Sequence, residues 1–177
     1  MSFNYTDTYQ KLYDPDKRAK YCYIHGQATT EDSKENCNLV LGIDEYLSEY
    51  NRDDGNSFEW FKKFYQRIYK GTDTSYVDWI DEYMMTCQIL HNVANPPSNE
   101  LHIYGHSMDK TDKDVLSSLI LMPNTVTKVY FYNDEDRSKK IINLIKIIGE
   151  KELITRTRGS KRTVIFVQTK APENYTD

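Results

Sequence analysis

Five short stretches of the chain are apolar at nearly every position and rich in β-branched or aromatic residues: 21–25 (YCYIH), 37–42 (CNLVLG), 100–105 (ELHIYG), 127–133 (TKVYFYN) and 163–168 (TVIFVQ). Runs of this length and make-up suit strands covered on both faces. A very short strand stub precedes the polar segment 3–8 (FNYTDT). Between the strands the period changes to that of a helix. In 57–71, Phe58, Phe61, Tyr65 and Ile68 recur at helical spacing among charged residues, and Gly71 supplies a stop. In 75–93, Tyr76, Ile80, Tyr83, Cys87 and Leu90 form a stripe, ended by Asn95-Pro96-Pro97. Both aromatic stripes read as core packing. In 111–122, Thr111 and Asp114 resemble a capping box, and Val115, Leu116, Leu119 and Ile120 give the buried face. In 134–148, acids open the helix where the macrodipole favours them, and Ile141, Ile142, Ile145 and Ile148 are expected to face inward.

The second half therefore alternates strand, helix, strand, helix, strand. That order predicts an α/β fold: three layers, a mostly parallel sheet with helices on both faces, and the two longer helices at 57–70 and 75–93 as a side layer. A length of 177 residues fits a single domain over 1–170, and the end of the chain, 171–177, reads as a frayed tail.

Composition narrows the function classes. With 38% hydrophobic and 28% charged residues the chain reads as soluble and globular, and no apolar run approaches the roughly 20 residues that span a bilayer. The first ten residues lack the basic-then-apolar order of a secretory signal. A net charge of −4 without a basic block gives no electrostatic reason for direct nucleic-acid binding. Three widely spaced cysteines, Cys22, Cys37 and Cys87, argue against a disulfide framework or zinc knuckle and for a reducing cytoplasm.

Candidate chemistry gathers where strands end. Asn4 and Asp7 follow the stub, His25-Gly26 follows 21–25, Gly105-His106-Ser107 follows 100–104, and Asn133-Asp134 follows 127–132. In parallel α/β sheets ligands sit outside the carboxyl ends of strands, so these stations predict a ligand crevice. His25 has the side chain of a general base; the plainer reading is a ring bonded to a loop carbonyl. Gly105 allows close backbone approach to a ligand, and Ser107 with the amides opening the next helix suits hydroxyls or phosphate; the plainer reading is an ordinary strand-to-helix turn. His102, His106, Asp109 and Asp112 would form the ligand set of a metal-dependent nuclease, but Gly105 breaks the run and the two aspartates suit a helix start, so no metal is expected. The chain has no G-x-G-x-x-G, no phosphate-binding P-loop and no G-x-S-x-G.

Taken together, SFNYTDTYQKLY, YIHGQ, NLVLGIDE and IYGHSMDKTDKDVL resemble the AbiH-type bacteriophage abortive-infection family. The resemblance extends over nearly the whole chain, up to about 163–168. Members of that family are usually longer and begin with a glycine-rich GNGFD strand-turn, so the chain resembles their C-terminal portion. A bare sheet edge there would invite a homo-oligomer or the docking of the missing segment. The family pattern is in turn distantly similar to sirtuin-type NAD-binding domains, which implies a Rossmann-like, sirtuin-like half. In that likeness Asn4 positions water or ribose and His25 is the base near the nicotinamide ribose. Gly105 and Ser107 touch the adenine-side ribose or phosphates, and Asn133 sits near the adenosine end. Gly26, His106 and Asp109 are expected to contact the nucleotide from the same crevice, although His106, Asp109 and Asp112 have no clear sirtuin counterpart. The implied function is phage defence through an NAD-type crevice, with NAD as ligand and N-glycosidic cleavage in a full-length context. The alternative is a non-catalytic nucleotide-binding or protein-interaction module.

Overall fold

The computed structural model describes residues 1–30, 37–42, 59–90 and 98–169. The chain forms two compact units, Met1–Asp81 and Glu82–Asp177. In the first lie α1 (Thr8–Tyr13), a 3-10 turn (Glu59–Phe61) and α2 (Lys63–Lys70); α3 (Ser75–Ile89) begins there and runs into the second. The second continues with β1 (Asn99–Ile103), a 3-10 turn (Lys110–Asp112), α4 (Lys113–Ile120), β2 (Thr125–Phe131), α5 (Asp134–Ile148), α6 (Glu150–Thr157) and β3 (Val164–Gln168).

The second unit has the α/β architecture expected from the strand–helix alternation. Its three strands are parallel in the order β1-β2-β3, with Ile103 level with Val129 and Val129 level with Phe166. Helices flank the sheet, consistent with a Rossmann-like arrangement. The alternation along β2 is strict. Thr125, Thr127, Val129 and Phe131 are buried, and the residues between them are half-buried. β2 packs against α4 and α5, on which Val115, Leu116, Ile120, Leu144 and Ile147 are buried, and α6, with Leu153 buried, packs against β3. The other side carries Glu100 and His102 of β1, level with Val126 and Lys128 of β2, together with Tyr130 of β2 and the flanking Tyr104 and Tyr132. Tyr104 and Tyr132 remain exposed there.

Several sequence expectations need correction. Runs 21–25 and 37–42 are not ladder strands. Ser2 makes one parallel bridge to Tyr23, confirming the N-terminal stub, and Val40 N–H donates to the His25 carbonyl at 2.9 Å. So short a pairing is marginal by itself, and these segments are held by the buried side chains Cys22, Ile24 and Val40. The stripe in 58–68 is not core: Phe61 of the 3-10 turn and Ile68 of α2 are exposed, and the residue buried on that helix is Arg67. The Gln66 side chain accepts from Leu41 N–H and donates to the Leu41 and Trp60 carbonyls, so a polar face turns inward. Gly71 does end the helix, at φ 58°. The α3 stripe is only half-buried, from Tyr76 through Leu90, and no residue of that helix reaches the core. On α5 the inward face is one position away from the isoleucine row. Lys140, Leu144 and Ile147 are buried, while Ile142 and Ile145 are exposed. The Thr111–Asp114 box is not formed. Asp109 accepts from Thr111 N–H instead, opening a 3-10 turn before α4 starts at Lys113. Helices α1 and α6 were not anticipated. Phe58, residues 91–97 with their Asn-Pro-Pro stop, and the tail at 171–177 lie outside the described residues.

Candidate functional site

Parallel register brings two of the polar stations to one end of the sheet. The first strand leaves through Tyr104-Gly105-His106-Ser107, and β2 leaves through Tyr132-Asn133. Asn143 of α5 ties the two together by donating to the Ser107 carbonyl at 3.0 Å. The turn is tightly specified. Gly105 has φ +66°, and a side chain added there would meet nothing within 4 Å. Met108 is also left-handed, at φ 59°, with its side chain fully buried. His106 holds that conformation in place. Its Nδ1 accepts from Met108 N–H at 2.8 Å, which leaves the proton on Nε2, 3.4 Å from the buried Asp112 carboxylate. Both ring nitrogens are thus engaged in shaping the turn.

Electrostatically this rim is acidic. Asp109 caps the 3-10 turn, and Asp134, Glu135 and Asp136 fill the first turn of α5. Asn133 spends its side-chain oxygen on Asp136 N–H at 2.9 Å. Asp136 bonds Tyr132 N–H and the Lys140 ammonium. Burial pushes the Asp136 carboxyl up, but the Lys140 ammonium and the Tyr132 amide outweigh it and hold it below the ordinary value. Helix N-termini filled by their own carboxylates favour hydroxyls or a cation over phosphate. The one-directional strand order also means that β1-β2-β3 contains no point where the order reverses.

In the first unit, His25 is 2% exposed. Its ring meets Phe3 edge-on at 5.6 Å and Tyr5 at 6.4 Å. Gly26 has φ +81°, and a Cβ there would lie 2.4 Å from the Asn38 carbonyl oxygen. Asn4 is exposed, with its backbone amide bonded to the Ser2 hydroxyl. Asp7 sits before α1 and pairs with Lys11 at 3.0 Å.

His102 and His106 are engaged separately. His102 lies on the open sheet face, with Nδ1 2.9 Å from the Tyr130 hydroxyl and Nε2 3.1 Å from Glu100. Among the described residues no group of three or more His, Cys, Asp or Glu side chains gathers as a metal ion would require. Sequence reasoning missed the tyrosines around it: Tyr104 packs edge-on against Tyr130 at 5.7 Å and against Tyr132 at 6.4 Å. Their spacing of two, Tyr130 and Tyr132 in one strand, was the available signal. Also missed was a groove of about 510 Å³ beside β3, described below.

Residues 1–133 match the family model for bacteriophage abortive infection AbiH. The chain belongs to the AbiH family. AbiH membership brings a role in bacteriophage abortive infection, and the matched stretch ends at Asn133, the cap of α5. Comparisons with curated proteins and with solved structures gave no match. No helix among the described residues is long and apolar enough to cross a membrane.

Proposed function

We propose that this AbiH protein acts in the cytoplasm during phage infection by binding an NAD-type nucleotide at the strand-end rim of its second unit, through the nicotinamide–ribose end. The observation that supports this best is the open, left-handed Gly105 at the end of β1, beside the Asn133-Asp134 turn at the end of β2. Gly105 leaves room for a ligand against the backbone, and Ser107, exposed beside it, offers a hydroxyl. The acids of the first turn of α5 suit a cationic pyridinium and ribose hydroxyls better than a pyrophosphate. In a full-length protein the reaction would be hydrolysis of the N-glycosidic bond. Water adds to the ribose carbon, nicotinamide leaves with the bonding pair, and the water proton passes to a base.

Calorimetry with nicotinamide riboside and with ADP-ribose tests the binding; chromatography of nicotinamide released from NAD tests the hydrolysis. Nicotinamide riboside should bind in preference to ADP-ribose, and Gly105→Leu should abolish binding. Failure of both NAD and the riboside to bind would overturn the reading. Binding without nicotinamide release would leave a nucleotide-sensing module.

A further inference from the structure

The third strand is the edge of the sheet, with no strand paired beyond it among the described residues. The Thr163 carbonyl and the Thr169 amide both bond the second strand. By the period of two, the main-chain groups of Val164, Phe166 and Gln168 therefore point away from the sheet; Val164 is buried, which leaves Phe166 and Gln168 accessible to a ladder. Alongside runs the groove of about 510 Å³, floored by Ile141, Ile145, Leu153 and Phe166. Its rim is basic: Arg137, Arg158 and Arg162 line it, against one acid, Glu150. Arg137 lies 5.5 Å from the Phe131 ring centre and 5.8 Å from that of Phe166, so its charge is fixed above the apolar floor. Arg158 and Arg162 are exposed and form no ion pair among the described residues.

We infer that this edge and groove form a docking site for an extended acidic peptide segment, which adds a strand to β3. Unpaired edge amides and carbonyls provide the main-chain ladder, apolar side chains at every second position enter the groove, and acids between them meet the arginines. Charge decides the occupant. A second copy of the chain, joined symmetrically through this edge, would bring the same three arginines against one another. A single-stranded nucleic acid would face an apolar floor without a basic track beyond the rim. All the residues that line the groove follow Asn133, so it lies outside the stretch matched to the family model and is separate from the strand-end rim above.

Fluorescence anisotropy with the full chain tests this. The probes are labelled ten-residue peptides alternating Glu with Val, or Lys with Val, and a single-stranded oligonucleotide of matched charge. The acidic peptide should bind, and the basic one should not. The double substitution Arg158→Glu with Arg162→Glu, both exposed, should weaken binding about tenfold or more while far-UV circular dichroism stays unchanged. An acidic peptide N-methylated at alternate amides should lose binding, because it cannot complete a ladder. Equal binding of both peptides, tighter binding of the oligonucleotide, indifference to charge reversal, or full binding of the methylated peptide would each overturn the proposal.

Discussion

Two left-handed glycines make opposite demands on their surroundings. Gly26 is pressed against the Asn38 main chain, whereas Gly105 faces open space. Gly26→Ala adds both backbone strain and a steric overlap and should cost about 2–4 kcal/mol; Gly105→Ala adds the strain alone, about 1–2 kcal/mol. Urea denaturation of the two variants should rank them in that order. Asp136 makes a different kind of prediction. Its carboxyl is held below the ordinary value by Lys140 and Tyr132, so its stabilising contribution is present above the unfolded-state pKa and is lost as pH falls through the lower folded value. Asp136→Asn should destabilise the protein by about 1–3 kcal/mol at neutral pH, because Lys140 is left buried without its partner, and the difference from the parent should shrink in acid below about pH 4. Urea titrations at several pH values check this. At this scale the sequence showed which residues were polar at strand ends but not what they bond. Nothing in GHSMD reveals that His106 turns back to hold Met108, because that depends on a left-handed backbone two residues on.

Helix α2 shows how a periodic pattern can mislead. Phe61 and Ile68 recur as a core face would, yet Ile68 is 79% exposed. Ile68→Lys should therefore change stability by less than about 0.5 kcal/mol, whereas Leu116→Ala in α4, fully enclosed, should cost about 2–5 kcal/mol. Chemical denaturation separates these outcomes clearly. Period alone identifies a helix but cannot say which side meets the protein when aromatic residues crowd the segment, as Trp60 and Phe61 of the 3-10 turn and Phe64, Tyr65 and Tyr69 of α2 do. In α5 the isoleucines are so many that two adjacent faces are both apolar, and the sheet selected the one bearing Leu144 and Ile147. The three ladder strands were legible because their β-branched runs alternate with amphipathic helices. The runs at 21–25 and 37–42 carry the same composition but have no ladder partner among the described residues, and composition cannot supply one.

The two units differ in charge. Residues 1–81 hold 15 acidic and 10 basic side chains, and residues 82–177 hold 12 and 13. Both tryptophans, Trp60 and Trp79, fall in the first unit, while α4, α5 and α6 fall in the second. Unfolding followed by tryptophan fluorescence should accordingly precede the loss of helical circular dichroism, since the first unit has no sheet ladder among its described residues; coincident transitions would mean that the units melt together. The alternation and the family resemblance made the architecture of the second unit readable from its sequence. The charge asymmetry was overlooked because the net value of −4 averages it away. A last consequence concerns how such a gene tolerates change in length. Every second side chain of β2 belongs to the dry side and every other one to the wet side, so losing or gaining a single codon within residues 125–131 would send Lys128 into the interior and Val129 out to solvent. The same indel placed in the preceding turn, at Pro123-Asn124, would leave that alternation intact, and lineages should vary there instead.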